Sequence, residues 1–405
     1  MSPTAVDVCV VGGGPAGLAL GLELARQGVE VAVVEQSGHF NRSFRGESVS
    51  PDAVLVLDRL GVLDKIKAEG ALTTTRMEIT EDGRTVLDTA FADFEYEHRF
   101  PLELPQPTLL GVMDNVASGF DNFSMLRKST VVGLLEADGA VTGVRIKDPG
   151  GERELAAKIV IGADGRYSKV LEMSGLAHER VPLDRDVVWL KLPLPPEWDT
   201  ETYRVRIKGD RHGLFIPTYP DMVRVGFNIP KGGLRELRKQ GIGALHEKID
   251  ELAPELSTLV REKVTGYSDT SMLDIFTSVV PRWSRDGLLV IGDAAHTLSP
   301  VLGQGVNHAL IDAVTLAPML TAALKEADHR TALAAAAVEF QRIREPEVKR
   351  SRGLQLRQER MFTFGSRAGV FLRSSLYRAM NRSAFLKQRV LADAYFRLQK
   401  REKAA

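Results

Sequence analysis

One short stretch near the start limits what this chain can fold into more than any other. Gly12-Gly13-Gly14-Pro15-Ala16-Gly17 lies between an apolar, β-branched run (residues 6–11) and a segment of helical spacing (residues 15–27). Leu18, Leu22 and Ala25 share one side of that segment, and residues 29–34 form a second apolar run. Strand, glycine turn, helix and strand in this order open a βαβ unit. Gly12, Gly14 and Gly17 fit G-x-G-x-x-G. The first glycine permits a tight turn, the second lets the backbone approach a pyrophosphate, and the third lets helix and strand pack closely. The helix that Pro15 opens offers the free N–H groups of its first turn, from Ala16 on, to phosphates. Glu35, followed by Gln36, ends the second strand about 20 residues on, where an acid accepts hydrogen bonds from a ribose. The glycine pattern alone is weak evidence. The strand before it, the helix after it and the acid in place make it specific.

The rest of the 405 residues is too long for one small domain. Residues 50–69 read as helical and residues 73–91 alternate like strands. Residues 98–108 hold Pro101, Pro105 and Pro107 and read as an irregular connection. Residues 124–161 read as strand, turn and strand, with Asp138-Gly139 as a hairpin signal. Strands return over 186–230, helix over 233–263 and a strand at 288–291, and the remainder is largely helix.

Composition narrows the function classes. Basic and acidic residues balance at 53 each, so no overall charge draws the chain to nucleic acid. The single cysteine, Cys9, lies in an apolar run and reads as a small buried hydrophobe, with no disulfide framework. No histidine spacing suggests a metal, and no G-x-S-x-G elbow suggests a serine hydrolase. The first apolar run is only a strand long and follows no basic region, unlike a signal peptide. No apolar run reaches the roughly 20 residues that span a bilayer, so the expected location is the cytoplasm. The tail from residue 341 is rich in Arg and Lys with few acids. It reads either as a packed helix with a solvated face, the commoner case, or as a dock for a membrane surface or anionic partner.

Two further strings carry chemistry. In residues 160–168, Asp164-Gly165 ends a buried-looking strand and leads toward a helix, though a plain turn is equally open. In residues 289–307 a strand delivers Gly292-Asp293 at its end, where a carboxylate can bind a polyol hydroxyl. Gly303 and Gly305 then open another helix, whose exposed N–H groups favour negative charge on a ring. His296, inside this string, reads as a residue that holds the loop by hydrogen bonds.

Together and in this order, these stretches resemble the FAD fingerprint, Asp-Gly motif and Gly-Asp motif of single-component (class A) FAD-dependent aromatic hydroxylases and monooxygenases. That family is typified by para-hydroxybenzoate hydroxylase. The resemblance covers roughly residues 5–340. It implies an α/β fold with a Rossmann-like FAD-binding domain (1–72, 106–180 and 281–340), an inserted mixed-sheet substrate domain (73–105 and 181–280) and C-terminal helices (341–405). It places Gly12, Gly14, Pro15, Ala16 and Gly17 at the FAD pyrophosphate, and Glu35 with Gln36 at the adenosine ribose. Arg45 would reach the pyrophosphate, Gln106 the ribityl chain and the Val131 backbone the adenine. Gly292 and Asp293 would hold the ribityl or phosphate region. Pro300 would lie beside the flavin ring, with Gly303, Gly305, Val306 and Asn307 around its pyrimidine end. Arg45 and Pro300 would stand nearest the reaction. Asp164 would serve flavin and nicotinamide binding. Where the family then carries an arginine, this chain has Leu171, with Lys169 two residues before it.

The implied chemistry is reduction of FAD by NADPH or NADH and reaction with O2 to a flavin hydroperoxide. Its distal oxygen goes to a small aromatic or polyketide-like substrate. A prenyl-bond reductase, a halogenase and a non-catalytic flavin protein are the alternatives. Halogenases of this fold carry W-x-W-x-I-P, whereas this chain has Gly213-Leu214-Phe215-Ile216-Pro217 without a tryptophan. Phe215, Pro217 and Phe227 are candidate walls of a substrate pocket, with His212, Tyr219 and Arg224 as polar anchors; an ordinary packed hairpin is the alternative.

Overall fold

A computed structural model describes residues 4–40 and 47–404. Its first sheet is built around Ala5–Val11, which runs parallel to Val31–Val34 on one side and to Gly151–Gly162 on the other. Phe123–Leu126 and Leu288–Val290 extend the parallel sheet at either flank. Helices Pro15–Arg26, Gln106–Ala117 and Gly305–Leu324 pack with these strands in one core. Burial on both faces explains why the strands are nearly unbroken valine and isoleucine runs rather than alternating ones. The hairpin Thr130–Ala137 and Ala140–Asp148 adds to Gly151–Gly162. Asp138 (φ 49°) and Gly139 (φ 77°) are both left-handed, as a two-residue hairpin turn of the primed type requires.

The second sheet has seven strands, ordered Ser271–Leu273, Arg185–Pro193, Met222–Pro230, Arg211–Thr218, Thr202–Lys208, Arg76–Glu81 and Arg84–Ala90. Side chains alternate across it. Val188, Leu190, Phe215, Val225 and Phe227 face helices Leu234–Gln240, Ile242–Leu252 and Ser257–Lys263. Val187, Trp189, Ile216 and Arg224 occupy the opposite face.

Between the two sheets lies a small one, Ser48–Val49, Leu102–Glu103 and Leu72–Thr73. Its central strand falls within the segment expected to be irregular, which corrects that reading. The prolines flank it. Pro101 precedes the strand, Pro105 caps the helix Gln106–Ala117, and Pro107 sits in that helix's first turn, where a missing N–H costs no bond. The single helix expected over 50–69 is two, Pro51–Arg59 and Leu63–Gly70, separated at left-handed Gly61 (φ 66°).

Four helices end the chain: His329–Phe362, Arg367–Arg382, Ala384–Tyr395 and Arg397–Ala404. Much of the tail's basic charge is engaged internally. Arg344 pairs with Asp312, Arg373 with Glu81, and Arg397 and Arg401 with Glu347. Arg373 is fully buried, and it ties this segment to the strand Arg76–Glu81 of the second sheet. Phe371 and Phe385 stay exposed. The helix Gly305–Leu324 is long and apolar enough to cross a membrane, contrary to expectation, but it is mostly buried within the protein core.

Candidate active site

The glycine turn is as tight as its composition suggests. Gly12 is left-handed (φ 109°), and a Cβ there would stand 2.5 Å from the Ala163 carbonyl oxygen. A Cβ on Gly17 would overlap the Gly12 carbonyl oxygen. Only glycine brings the turn this close to its own helix and to the Asp-Gly loop. No side chain among the described residues caps the N-terminus of helix Pro15–Arg26, so its N–H groups remain for an anion. Buried Glu35 accepts hydrogen bonds from the Gly13 and Ser37 N–H groups, each at 2.8 Å. Its backbone carbonyl accepts from Ser129 at 3.0 Å, which brings the start of the Val131 strand beside it.

The Gly-Asp string meets the same place. A Cβ on left-handed Gly292 would lie 3.2 Å from the Ala16 side chain, and one on Gly305 would lie 3.8 Å from Asp293 Oδ1. Asp293 thus stands between the starts of two helices, and the second also has no cap from a described side chain. Pro300 opens a loop in which Leu302 (φ 72°) and Gly303 (φ 60°) are left-handed in succession. A left-handed leucine costs about 1–2 kcal/mol. Strain of this kind persists where the surroundings enforce it, often at functional loops. Buried Val306 follows in the first turn of the helix. The two helix N-termini, the close glycine turns and the acids at the strand ends fit a dinucleotide with a pyrophosphate, as FAD has.

Several expected residues also make contacts within the chain. Asn307 donates from Nδ2 to the Gly303 carbonyl at 2.8 Å and accepts at Oδ1 from the Ser50 N–H at 2.9 Å. One end of its amide holds the Gly303 turn and the other ties it to Ser50, just after the strand Ser48–Val49. Asp164 accepts from the Lys169 and Val170 N–H groups at 2.7 and 3.0 Å and from the Ser168 hydroxyl. Its carboxylate therefore helps Ser168, the cap residue, to hold the N-terminus of helix Lys169–Ser174. Leu171 is buried and exposed Lys169 pairs with Glu172. Gln106 is buried at the start of its helix. Arg45 lies outside the described residues.

Sequence reasoning missed a buried network behind Asp293. Asp312 accepts from the Gly292 N–H (2.9 Å) and His296 Nε2 (2.7 Å) at one oxygen and from Arg344 Nε (2.7 Å) at the other. Burial alone would raise its pKa, but His296 and Arg344 hold it below the usual carboxylate range. Arg344 also donates to His308 Nδ1 at 2.9 Å, and His308 Nε2 donates to the Ser351 hydroxyl at 2.8 Å. Burial first, then Arg344, keeps His308 neutral. The available signal was an acid four residues after a histidine inside an apolar helix, since such an acid is almost never buried unpaired.

On the second sheet, the substrate-facing set divides by strand parity. Phe215 and Phe227 point into the helix-covered core, and Pro217 shares their side of its strand, so these three do not form the wall expected of them. His212 is buried with its ring 4.5 Å from that of Phe362, and burial lowers its pKa to about 3. Tyr219 is 41% exposed at the strand's end, against Gly70.

Arg224 faces the small sheet. It donates to Glu103 Oε2 at 2.6 Å and to Ser48 Oγ at 2.9 Å, and its Nε lies 3.2 Å from Glu47 Oε2. Ser48 Oγ donates to Glu103 Oε2 at 2.7 Å, and Lys191 Nζ lies 3.0 Å from Glu47 Oε1. A Cβ on Gly303 would touch Ser48 at 3.7 Å, so this cluster adjoins the Pro300 loop. Ser48, Glu47, Glu103 and Lys191 were not read from the sequence as site residues.

The family model described as "FAD binding domain" matches residues 5–351. The 6-methylpretetramide 4-monooxygenase of Streptomyces rimosus is 36% identical over 368 residues, which span 91% of this chain and 87% of that protein. The protoasukamycin 4-monooxygenase of Streptomyces nodosus subsp. asukaensis is 27% identical over 372 residues, 88% of each. A crystal structure of PqsL, a probable FAD-dependent monooxygenase from Pseudomonas aeruginosa, superposes with a TM-score of 0.78 at 25% identity, over 91% of this chain and 99% of that one. Fold, dinucleotide cradle and relatives agree: the chain belongs to the FAD binding domain family and is an FAD-dependent monooxygenase.

Proposed function

We propose that the enzyme places one oxygen atom on an aromatic, polyketide-like phenol, with NADPH or NADH as reductant. The similar protein from Streptomyces rimosus is named for a reaction of that kind on 6-methylpretetramide. The observation that carries the reading is the face of the second sheet opposite its helices. Trp189 and Ile216, both buried, and partly buried Leu214 and Tyr203 give that face an apolar and aromatic lining, and Arg224 with its partners supplies one polar corner beside the Pro300 loop. Apolar walls with few placed polar groups suit a flat aromatic molecule with hydroxyl substituents.

Bound FAD supplies hydride acceptance from the nicotinamide and activation of O2. The chain's own residues bind and orient. Gly12, Gly14 and Gly17, with the N–H groups of the helix that Pro15 opens, Ala16 first among them, would hold the pyrophosphate. Glu35, beside Gln36, would hold the ribose, the Val131 backbone the adenine, and Asp293 the ribityl chain. Gln106 would stand near that chain. Pro300, Gly303, Gly305 and Val306 would border the ring and exclude water from it. The proposed division of labour leaves cofactor binding to the first sheet and substrate binding to the second.

The test is a panel of phenols and aromatic polyketides offered with NADPH, NADH and isotopically labelled O2. Mass spectrometry should find one labelled oxygen atom in a product, together with faster nicotinamide oxidation. Nicotinamide oxidation that yields only peroxide across the panel would defeat the reading.

A further inference from the structure

The Arg224 cluster holds more charge than packing needs. Two carboxylates, Glu47 and Glu103, are almost wholly buried there with Arg224 and Lys191. Burial of an ion pair is seldom a net gain over apolar residues of the same volume. The cluster is also uneven. Glu47 faces both cations through its two oxygens. Glu103 receives Arg224 and Ser48 on Oε2 alone, and none of its described contacts involves Oε1.

The groups around Glu103 come from several elements. Ser48 and Glu47 come from the small sheet or its edge, Arg224 and Lys191 from the second sheet, Tyr203 from strand Thr202–Lys208, and Tyr395 from helix Ala384–Tyr395. Burial first and the Glu103 charge second raise Tyr395 to about 12, and burial raises Tyr203 in the same direction, so both hydroxyls stay protonated at neutral pH. Burial first, and then the Glu47 charge, raise Glu103 to about 7 against the pull of Arg224 and Ser48.

We propose that Glu103 is a catalytic base whose Oε1 takes the phenolic proton of the substrate, while Arg224 and Ser48 position its carboxylate. This rests on the reading of the substrate as a phenol. The phenolic O–H bond breaks, the proton forms a new O–H bond at Oε1, and the electron pair stays on the phenolic oxygen and delocalises into the ring. No oxidant is consumed in this step. An electron-rich ring is what an electrophilic oxygen attacks. When the oxygenated ring loses its own hydrogen as a proton and regains aromaticity, Glu103 can return its proton to solvent or product. The Arg224 guanidinium, 2.6 Å away, stabilises the negative charge whether it lies on Glu103 or on the substrate beside it. A base near pH 7 is also closer to a phenol of pKa about 10 than an ordinary glutamate is.

The experiment uses the full-length, FAD-loaded enzyme and the phenol that gives coupled product in the panel above. The wild-type kcat/KM should rise with pH along a limb centred near 7. Glu103→Gln should lower kcat by about 100-fold or more and move that limb to the phenol's own ionisation, with flavin occupancy unchanged. The absorption spectrum of the bound phenol gives a readout apart from turnover: titrated with pH, it should shift with a midpoint near 7 in the wild type as the neighbouring carboxyl ionises, and lose that midpoint in the variant. Ser48→Ala removes a donor to Oε2 and should move the limb upward even if Glu103→Gln folds poorly. An unmoved limb in both variants, or an unchanged phenol spectrum, overturns the assignment. A panel without any coupled phenol defeats the functional reading beneath it, a separate and recognisable result.

Discussion

Gly17 shows how much one missing atom does. Its Cβ would overlap the Gly12 carbonyl oxygen, so Gly17→Ala must push the turn away from the helix start. The expected cost is about 1–3 kcal/mol of stability, typical of overpacking, with loss of bound flavin from the purified protein. A yellow, fully loaded Gly17→Ala enzyme would show that the turn does not set the pyrophosphate site. At this scale Gly12 and Gly17 were legible, because each answers a backbone demand that no other residue meets. The substrate side was less so. Alternation along 211–230 is plain in the sequence, but which alternate set faces helices depends on where residues 234–263 land. Phe215 and Phe227 therefore read as pocket walls, though they belong to a core. Arg224 stood out in that hairpin as a polar residue, yet its partners Glu47 and Glu103 are remote in sequence, and the Arg224–Glu103 pairing at 121 residues' separation leaves no local trace.

Among the elements, helix Gly305–Leu324 bears most on the site. It supplies Asp312, which meets the Gly292 N–H, His296 and, from helix His329–Phe362, Arg344. Arg344→Met should leave a buried carboxylate without the guanidinium that pairs with its Oδ1. The cost of breaking such a pair is about 3–5 kcal/mol, visible as a lower melting temperature and weaker flavin retention. A variant as stable as the wild type would mean that His296 alone satisfies Asp312. Long, strongly patterned elements were readable: the opening strand and helix, the hairpin at Asp138-Gly139 and the strand before Asp293. The strand Leu102–Glu103 was not, because two residues between prolines have no period to detect. The break at Gly61 was missed for a related reason, since a helical pattern resumes only two residues later.

For the molecule as a whole, buried neutral histidines set an acid limit. Burial lowers His212 to about 3, against an ordinary 6.5. Its folded pKa is depressed, so the unfolded chain binds a proton that the folded one refuses. Stability is unaffected above pH 6.5 and falls as pH drops from there toward 3. At pH 4.5, two units below the ordinary value, this residue alone removes about 3 kcal/mol. Denaturant unfolding at pH 7 and 4.5 should therefore show a smaller loss for His212→Gln than for the wild type. Equal losses would place the acid sensitivity elsewhere, for instance at His308, which is shifted the same way.

The order of strands in the first sheet also has a consequence in time. Ala5–Val11 and Gly151–Gly162 pair early in the chain, but Leu288–Val290 reaches the flank of Gly151–Gly162 only much later. All seven strands of the second sheet, the last of them Ser271–Leu273, lie before it. On a ribosome, where domains tend to form as the chain emerges, the surface that would receive the substrate can assemble while the cofactor's cradle still lacks Asp293 and the helix from Gly305. A nascent chain would thus shape its chamber first and become able to capture FAD only when about three quarters of it has been made.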